Sequence, residues 1–162
     1  MTTLPEATTT AANDEVRAAH DRYLEVRGQA ERGELPWSAL ARFFTDDATF
    51  IDPAWGRVEG IEAIRQFLDE SMTGLEGWTF PQDFCLVDAG RIVTRWMNRL
   101  PGQRADGSFY EAPGISLILY AGDGRFRYEE DLLNMVHVME LIRESGWKPG
   151  GGAKAPPRQP RR

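Results

Sequence analysis

Residues 41–68 read ARFFTDDATFIDPAWGRVEGIEAIRQFL, and their patterning decides the fold. A helical end passes into two aspartates and a short apolar run, Ala48–Asp52. Pro53 stops that run, because its missing N–H and fixed φ discourage a continuing strand. Gly60 then opens a second amphipathic segment with Ile61, Ile64, Phe67 and Leu68 on one helical face. A carboxylate, Asp52, thus ends a strand held between two apolar helices. An acid so placed has the environment of a general base, since burial penalises its charged form.

The rest of the chain builds outward from there. On the N-terminal side, Asn13 or Asp14 caps a first helix, with Val16, His20, Tyr23, Arg27 and Ala30 at helical spacing and Gly33 at its exit. Pro36 precedes a short second helix carrying Trp37, Leu40, Ala41 and Phe44. On the C-terminal side the rhythm changes. Strands are expected at Trp78–Val87, Arg91–Leu100, Phe109–Tyr120 and Arg125–Leu133, separated by Gly-containing turns that favour antiparallel pairing. A last amphipathic segment, Asn134–Glu144, follows. Helices first and a curling antiparallel sheet after them define an α+β architecture. Such a sheet, wrapped round the N-terminal helices, leaves a concave mouth, a natural small-molecule site.

Composition bounds the function. The 162 residues, 41% hydrophobic and 10% aromatic, suffice for one domain with a real core. Cys85 is the only cysteine, so neither a disulfide framework nor a cysteine-based zinc site is expected. His20 and His137 lack partners at ligand spacing, and no metal or cofactor is expected. The net charge of −6 includes a basic, Gly/Pro-rich tail. Residues 1–12 and 147–162 are expected to be disordered, with one folded domain at 13–146. An acidic body argues against a nucleic-acid partner. Without an apolar run of about 20 residues or a visible signal peptide, no membrane partner and a cytoplasmic location are expected.

Three pieces, FFTDDATFIDP, GRVEGIEAIRQFL and YAGDGRFRYEEDLLN, occur in an order and spacing that resemble the SnoaL-like family of the nuclear-transport-factor-2-like superfamily over about residues 14–145. The resemblance implies a cone fold, a small hydrophobic ligand, and a homodimer formed through the sheet face. It places Asp52 where ketosteroid isomerases keep their general base, and Tyr23 where they place an oxyanion donor. Ser116 stands where those enzymes have a protonated aspartate. Asp131 matches the acid–base aspartate of SnoaL-like cyclases. Epoxide-hydrolase-like members carry an Arg-x-Asp; here Arg95 is followed by Met97 in the aspartate's place.

Asp52, Asp131 and Tyr23 are therefore the candidate catalytic residues, and His20, Phe44, Trp55, Phe67, Trp96 and Ser116 the candidate binding residues. Two ambiguities stay open. Asp52 also suits a plain turn-capping role before Pro53. Strict alternation from Arg125 puts Arg127, Glu129 and Asp131 opposite the apolar Phe126 and Leu132. Either a bulge shifts that register, or Glu129 and Asp131 line a polar pocket mouth with Arg127 at the rim, or Asp131 is a solvated surface acid. The functions implied are cofactor-independent acid–base chemistry of cyclase or isomerase type on a hydrophobic carbonyl compound such as a polyketide or terpenoid, or a non-catalytic ligand-binding or dimeric interaction domain.

Overall fold

The computed structural model describes residue 4 and residues 11–157. Most of the N-terminal segment and residues 158–162, both expected to be disordered, lie outside the described residues. Helix α1 spans Asn13–Glu31 and buries Val16, Ala19, His20, Tyr23, Val26 and Ala30, the stripe that the 3–4 spacing predicts. Its N-cap is Ala12, with no side-chain cap. Asn13, one of the two expected caps, instead accepts a 3.1 Å hydrogen bond from Ala89 N, which ties the helix to the Ala89-Gly90 turn.

A 3-10 helix, Trp37–Phe43, leads into β1 (Phe44–Asp52) and β2 (Gly56–Glu59), an antiparallel hairpin. Helix α2 (Ile61–Met72) buries Ile64, Phe67 and Leu68. The long strands follow: β3 (Gln82–Asp88), β4 (Arg91–Gln103), β5 (Phe109–Gly122) and β6 (Arg125–Leu133), then α3 (Met135–Ser145). Asn134 caps α3 by accepting from His137 N at 3.2 Å.

The six strands form one sheet in the order β2-β1-β6-β5-β4-β3. This is the expected α+β architecture, with one refinement. The pairs are antiparallel except β1 with β6, which run parallel. A meander of hairpins cannot produce that pair, because parallel neighbours need a long crossover connection. Here everything from β2 to the β5–β6 turn forms the crossover.

The β6 register settles one open alternative. Tyr120 pairs with Phe126 and Leu119 with Tyr128, so β6 carries an extra residue at Arg127. That bulge turns both Phe126 and Glu129 inward, onto the two ends of the Tyr23 side chain. On the outer face, where the resemblance implies a homodimer contact, Phe84, Leu86, Ile115 and Leu132 are exposed.

Candidate functional site

The concave side of the sheet, α1, α2 and α3 enclose a cavity of about 330 Å³. Its walls are largely apolar and aromatic, and four of its polar groups converge from three strands. Asp52 comes from the end of β1, Ser116 from the middle of β5, and Glu129 and Asp131 from β6. The parallel β1–β6 pairing aligns Phe50 with Glu129 and Ile51 with Glu130, which brings the end of β1 alongside the acids of β6.

Asp131 is held by a relay that starts at a glycine. The Trp96 indole lies across Gly114, where an added Cβ would meet ring atoms at 2.6 Å. Only a residue without a side chain admits the ring there. So placed, Trp96 Nε1 donates to Ser116 Oγ at 2.8 Å. The indole is a donor only, so the serine oxygen accepts from it and keeps its own proton to donate. Ser116 Oγ donates it to Asp131 Oδ1 at 2.5 Å, across the register pair Ser116–Asp131.

Burial raises the Asp131 pKa to about 7, and the nearby Asp52 charge adds to the rise, while the Ser116 hydrogen bond and Arg27 oppose it. Glu129, 4% exposed, is raised well above the usual carboxylate range by burial and by the Asp131 charge. Two carboxyls that resist ionising together share protons as a pair. Tyr23 Oη donates to Glu129 Oε2 at 3.1 Å, and burial beside these acids keeps the phenol protonated.

Asp52 combines both readings the sequence allows. Its Oδ1 accepts from Ala54 N at 2.8 Å and from Trp55 N at 2.7 Å, capping the turn after β1. The same residue lines the cavity, and burial raises its pKa against those two hydrogen bonds. Arg27 also reaches the cavity, but its guanidinium bonds Phe80 O at 2.8 Å and pairs with Glu31 at 3.5 Å.

The structure thus gathers Asp52, Asp131, Tyr23, Trp55, Phe67, Trp96 and Ser116 round one cavity. Two candidate binding residues sit elsewhere. His20 faces β3 rather than the cavity, with Nδ1 at 3.7 Å from Cys85 Sγ, and burial lowers its pKa to about 4. Phe44 is the first residue of β1, not the end of a helix, and packs in the core against Tyr23, Phe50 and Phe126. Arg95 is likewise not a cavity residue: it pairs with Asp83 on the outer face, because the inward positions of β4 are Thr94, Trp96 and Asn98.

Arg27, Asn98 and Trp78 line the cavity too, as does Glu129, for which the sequence allowed a pocket position as one of three alternatives. The tail, expected to be unstructured from residue 147, packs over the cavity mouth as far as it is described. Trp147 meets Trp78 edge-on at 5.1 Å, Gly150 N donates to Gly74 O at 2.8 Å, and Lys154 pairs with Glu70. Among the described residues, no group of three or more His, Cys, Asp or Glu side chains could hold a metal ion. No helix among them is long and apolar enough to cross a membrane.

A curved sheet folded over helices round an acid-bearing cavity defines a nuclear-transport-factor-2-like cone. The chain belongs to the SnoaL-like domain family, whose model matches residues 14–129. Among solved structures, a protein from Jannaschia sp. CCS1 described as a SnoaL-like polyketide cyclase is similar in fold. It has a TM-score of 0.63 and 17% identity, over 85% of this chain and 97% of that one. A protein from Kribbella flavida DSM 17836 described as a ketosteroid isomerase has a TM-score of 0.58 and 16% identity, over 78% and 82% of the two chains. TerC, co-crystallised with polyporic acid, has a TM-score of 0.56 and 20% identity, over 81% and 98%. Comparison with curated protein sequences gives no significant match.

Proposed function

We propose that the protein is a cofactor-independent acid–base enzyme of cyclase or isomerase type, acting on a hydrophobic carbonyl compound such as a polyketide or terpenoid. The single observation that carries this is Asp131, a carboxyl with a pKa of about 7 on the wall of an apolar cavity. A base works best when its pKa lies near the ambient pH. Ser116 occupies one Asp131 oxygen and fixes its orientation.

In this reading Asp131 takes a proton from carbon next to the substrate carbonyl, and the electron pair of that C–H bond passes into an enolate. Glu129, whose burial favours its protonated form, donates to the enolate oxygen, and Tyr23 polarises Glu129 from behind. Isomerisation follows when Asp131 returns the proton to another carbon of the conjugated system. Cyclisation follows when the enolate carbon attacks a second carbonyl of the same molecule, whose oxygen then takes the proton. The cyclase and isomerase descriptions of the fold neighbours are in keeping with either outcome.

The test is deuterium exchange at the α-carbon of 2-tetralone in D₂O, followed by proton NMR. The wild type is expected to accelerate exchange and Asp131→Asn to abolish the acceleration. Equal acceleration by both sinks the assignment. A second reading, ligand binding without turnover, rests on the Tyr23 hydroxyl and Asp52 Oδ1 already being bonded within the protein. Binding of 2-tetralone without exchange would favour it.

A further inference from the structure

The inward side chains of β4 alternate as Ile92, Thr94, Trp96, Asn98 and Leu100, all buried. Each polar member but one is satisfied by the protein. Thr94 has its one hydroxyl proton to donate to Gln82 Oε1 or to Phe84 O, the latter at 3.0 Å, and Trp96 donates to Ser116. Asn98 is 4% exposed and lines the cavity, and its side-chain amide bonds no protein group among the described residues. Beside the same stretch of β4, Thr79 bridges Arg99 and so brings Trp78 against this end of the sheet. Trp78 is 5% exposed and lines the cavity too, yet its Nε1 has no hydrogen-bond partner among the described residues. Buried polar groups are almost always paired, because an unpaired one loses its hydration and gains nothing. Two such groups in one cavity mark a place prepared for a ligand.

We infer that Asn98, together with the Trp78 indole N–H, is a second polar anchor that hydrogen-bonds a neutral oxygen of the ligand, a carbonyl or hydroxyl, at the end of the cavity away from Asp131. This rests on the reading of the cavity as a ligand site and adds a constraint on the ligand. Thr94 pairs with Ser116 and Ser116 with Asp131, whereas Asn98 lies four residues further along β4, opposite Ala112. At the rise of a strand those rows are roughly 13 Å apart. The substrate class is therefore elongated and doubly oxygenated, with the enolisable carbonyl at one end and a second oxygen at the other.

The chemistry of the anchor selects that oxygen. An amide offers two donors and an acceptor, and an indole one donor, none of them charged. Uncharged donors repay the desolvation of a ketone or phenol, not of a carboxylate. The basic residues of the cavity wall do not supply the missing charge: Arg27 is bonded to Phe80 O and Glu31, and Lys154 to Glu70.

The experiment compares 4-hydroxybiphenyl with 4,4′-dihydroxybiphenyl by isothermal titration on the full chain, for wild type, Asn98→Ala and Asn98→Asp. The wild type is expected to bind the dihydroxy probe about fivefold more tightly, the worth of one added hydrogen bond. Asn98→Ala is expected to cut that preference to the part the Trp78 N–H alone supplies, and Asn98→Asp, which keeps an acceptor, to recover part of the loss. In ¹⁵N NMR the Asn98 side-chain NH₂ and Trp78 indole signals are expected to shift with the dihydroxy probe. An affinity ratio that persists undiminished in Asn98→Ala overturns the anchor while leaving the ligand-cavity reading intact. Failure of the wild type to bind either probe overturns that reading and the anchor with it.

Discussion

Replacing Asp131 with asparagine is expected to make the protein more stable at pH 8. The carboxyl titrates near its ordinary 3.8 in the unfolded chain and at about 7 in the folded cavity. Between those values the folded state holds a proton that the unfolded state has lost. The contribution is therefore fullest below pH 4 and disappears as pH rises through 7. At 1.36 kcal/mol per pKa unit the whole span amounts to about 4 kcal/mol. Asp131 keeps some accessible surface toward the cavity, and water entering there lowers the figure to about 2 kcal/mol. Asparagine can still accept from Ser116 Oγ, carries no charge, and removes the repulsion felt by Glu129. The assay is urea unfolding followed by tryptophan fluorescence at pH 4 and pH 8, for both proteins. The quantity to compare is the change in stability between the two pH values, since surface carboxylates contribute equally to both. The wild type is expected to lose about 2–4 kcal/mol more than the variant across that range. Parallel pH dependences would refute a strained ionisable Asp131, and with it the proposed base.

Four further expectations come from the same geometry. Ser116→Ala removes the hydrogen bond that lowers the Asp131 pKa, so the pH profile of 2-tetralone exchange should move to higher pH; an unmoved profile would separate Ser116 from the base. Gly114→Ala drives a methyl into the Trp96 ring and should cost about 1–3 kcal/mol in urea unfolding, with the Trp96 indole N–H resonance displaced. Asp52→Ala strips the turn at Ala54 and Trp55 of its acceptor and should destabilise by about 1 kcal/mol, while lowering the Asp131 pKa by removing a neighbouring charge. Deleting residues 147–162 uncovers Trp78 and should speed both binding and release of 4-hydroxybiphenyl in stopped-flow quenching; unchanged rates would mean the tail does not cover the route in.

Local patterning made much of the architecture legible. The spacing of Ile61, Ile64, Phe67 and Leu68 places α2, and the Gly-rich turns delimit the long strands to within a few residues. What stayed hidden depends on partners distant in sequence. Phe44 fits a helical stripe with Trp37, Leu40 and Ala41, and only pairing with β6 makes it the start of a strand. Trp78 reads as strand, yet β3 begins at Gln82 because Thr79 makes only an isolated bridge to Arg99. Glu129 could be weighed as a pocket residue, but a bulge at Arg127 has no composition of its own and decides where it points. His20 lies one turn from Tyr23 and shares its buried stripe, which covers more than the cavity wall. Asn98 did carry a signal: it is a polar residue in an otherwise apolar or self-satisfied inward series.

The parallel pairing of β1 with β6 has a consequence for how the protein comes into being. Its partners, such as Phe50 and Glu129, are about 80 residues apart, so β1 waits for most of the chain before its second edge is covered. Synthesis at about 5–20 residues per second makes that wait roughly 4–16 s on a ribosome. Meanwhile β1 has only β2 beside it and an open edge on which a wrong strand could add. Such long-range closure places folding toward the slower end for domains of this size. It also means that the acids from β1 and β6 meet only once β6 has been made and paired. A chain that stops short of β6 lacks both a finished sheet and Asp131, so partial products carry no partial activity.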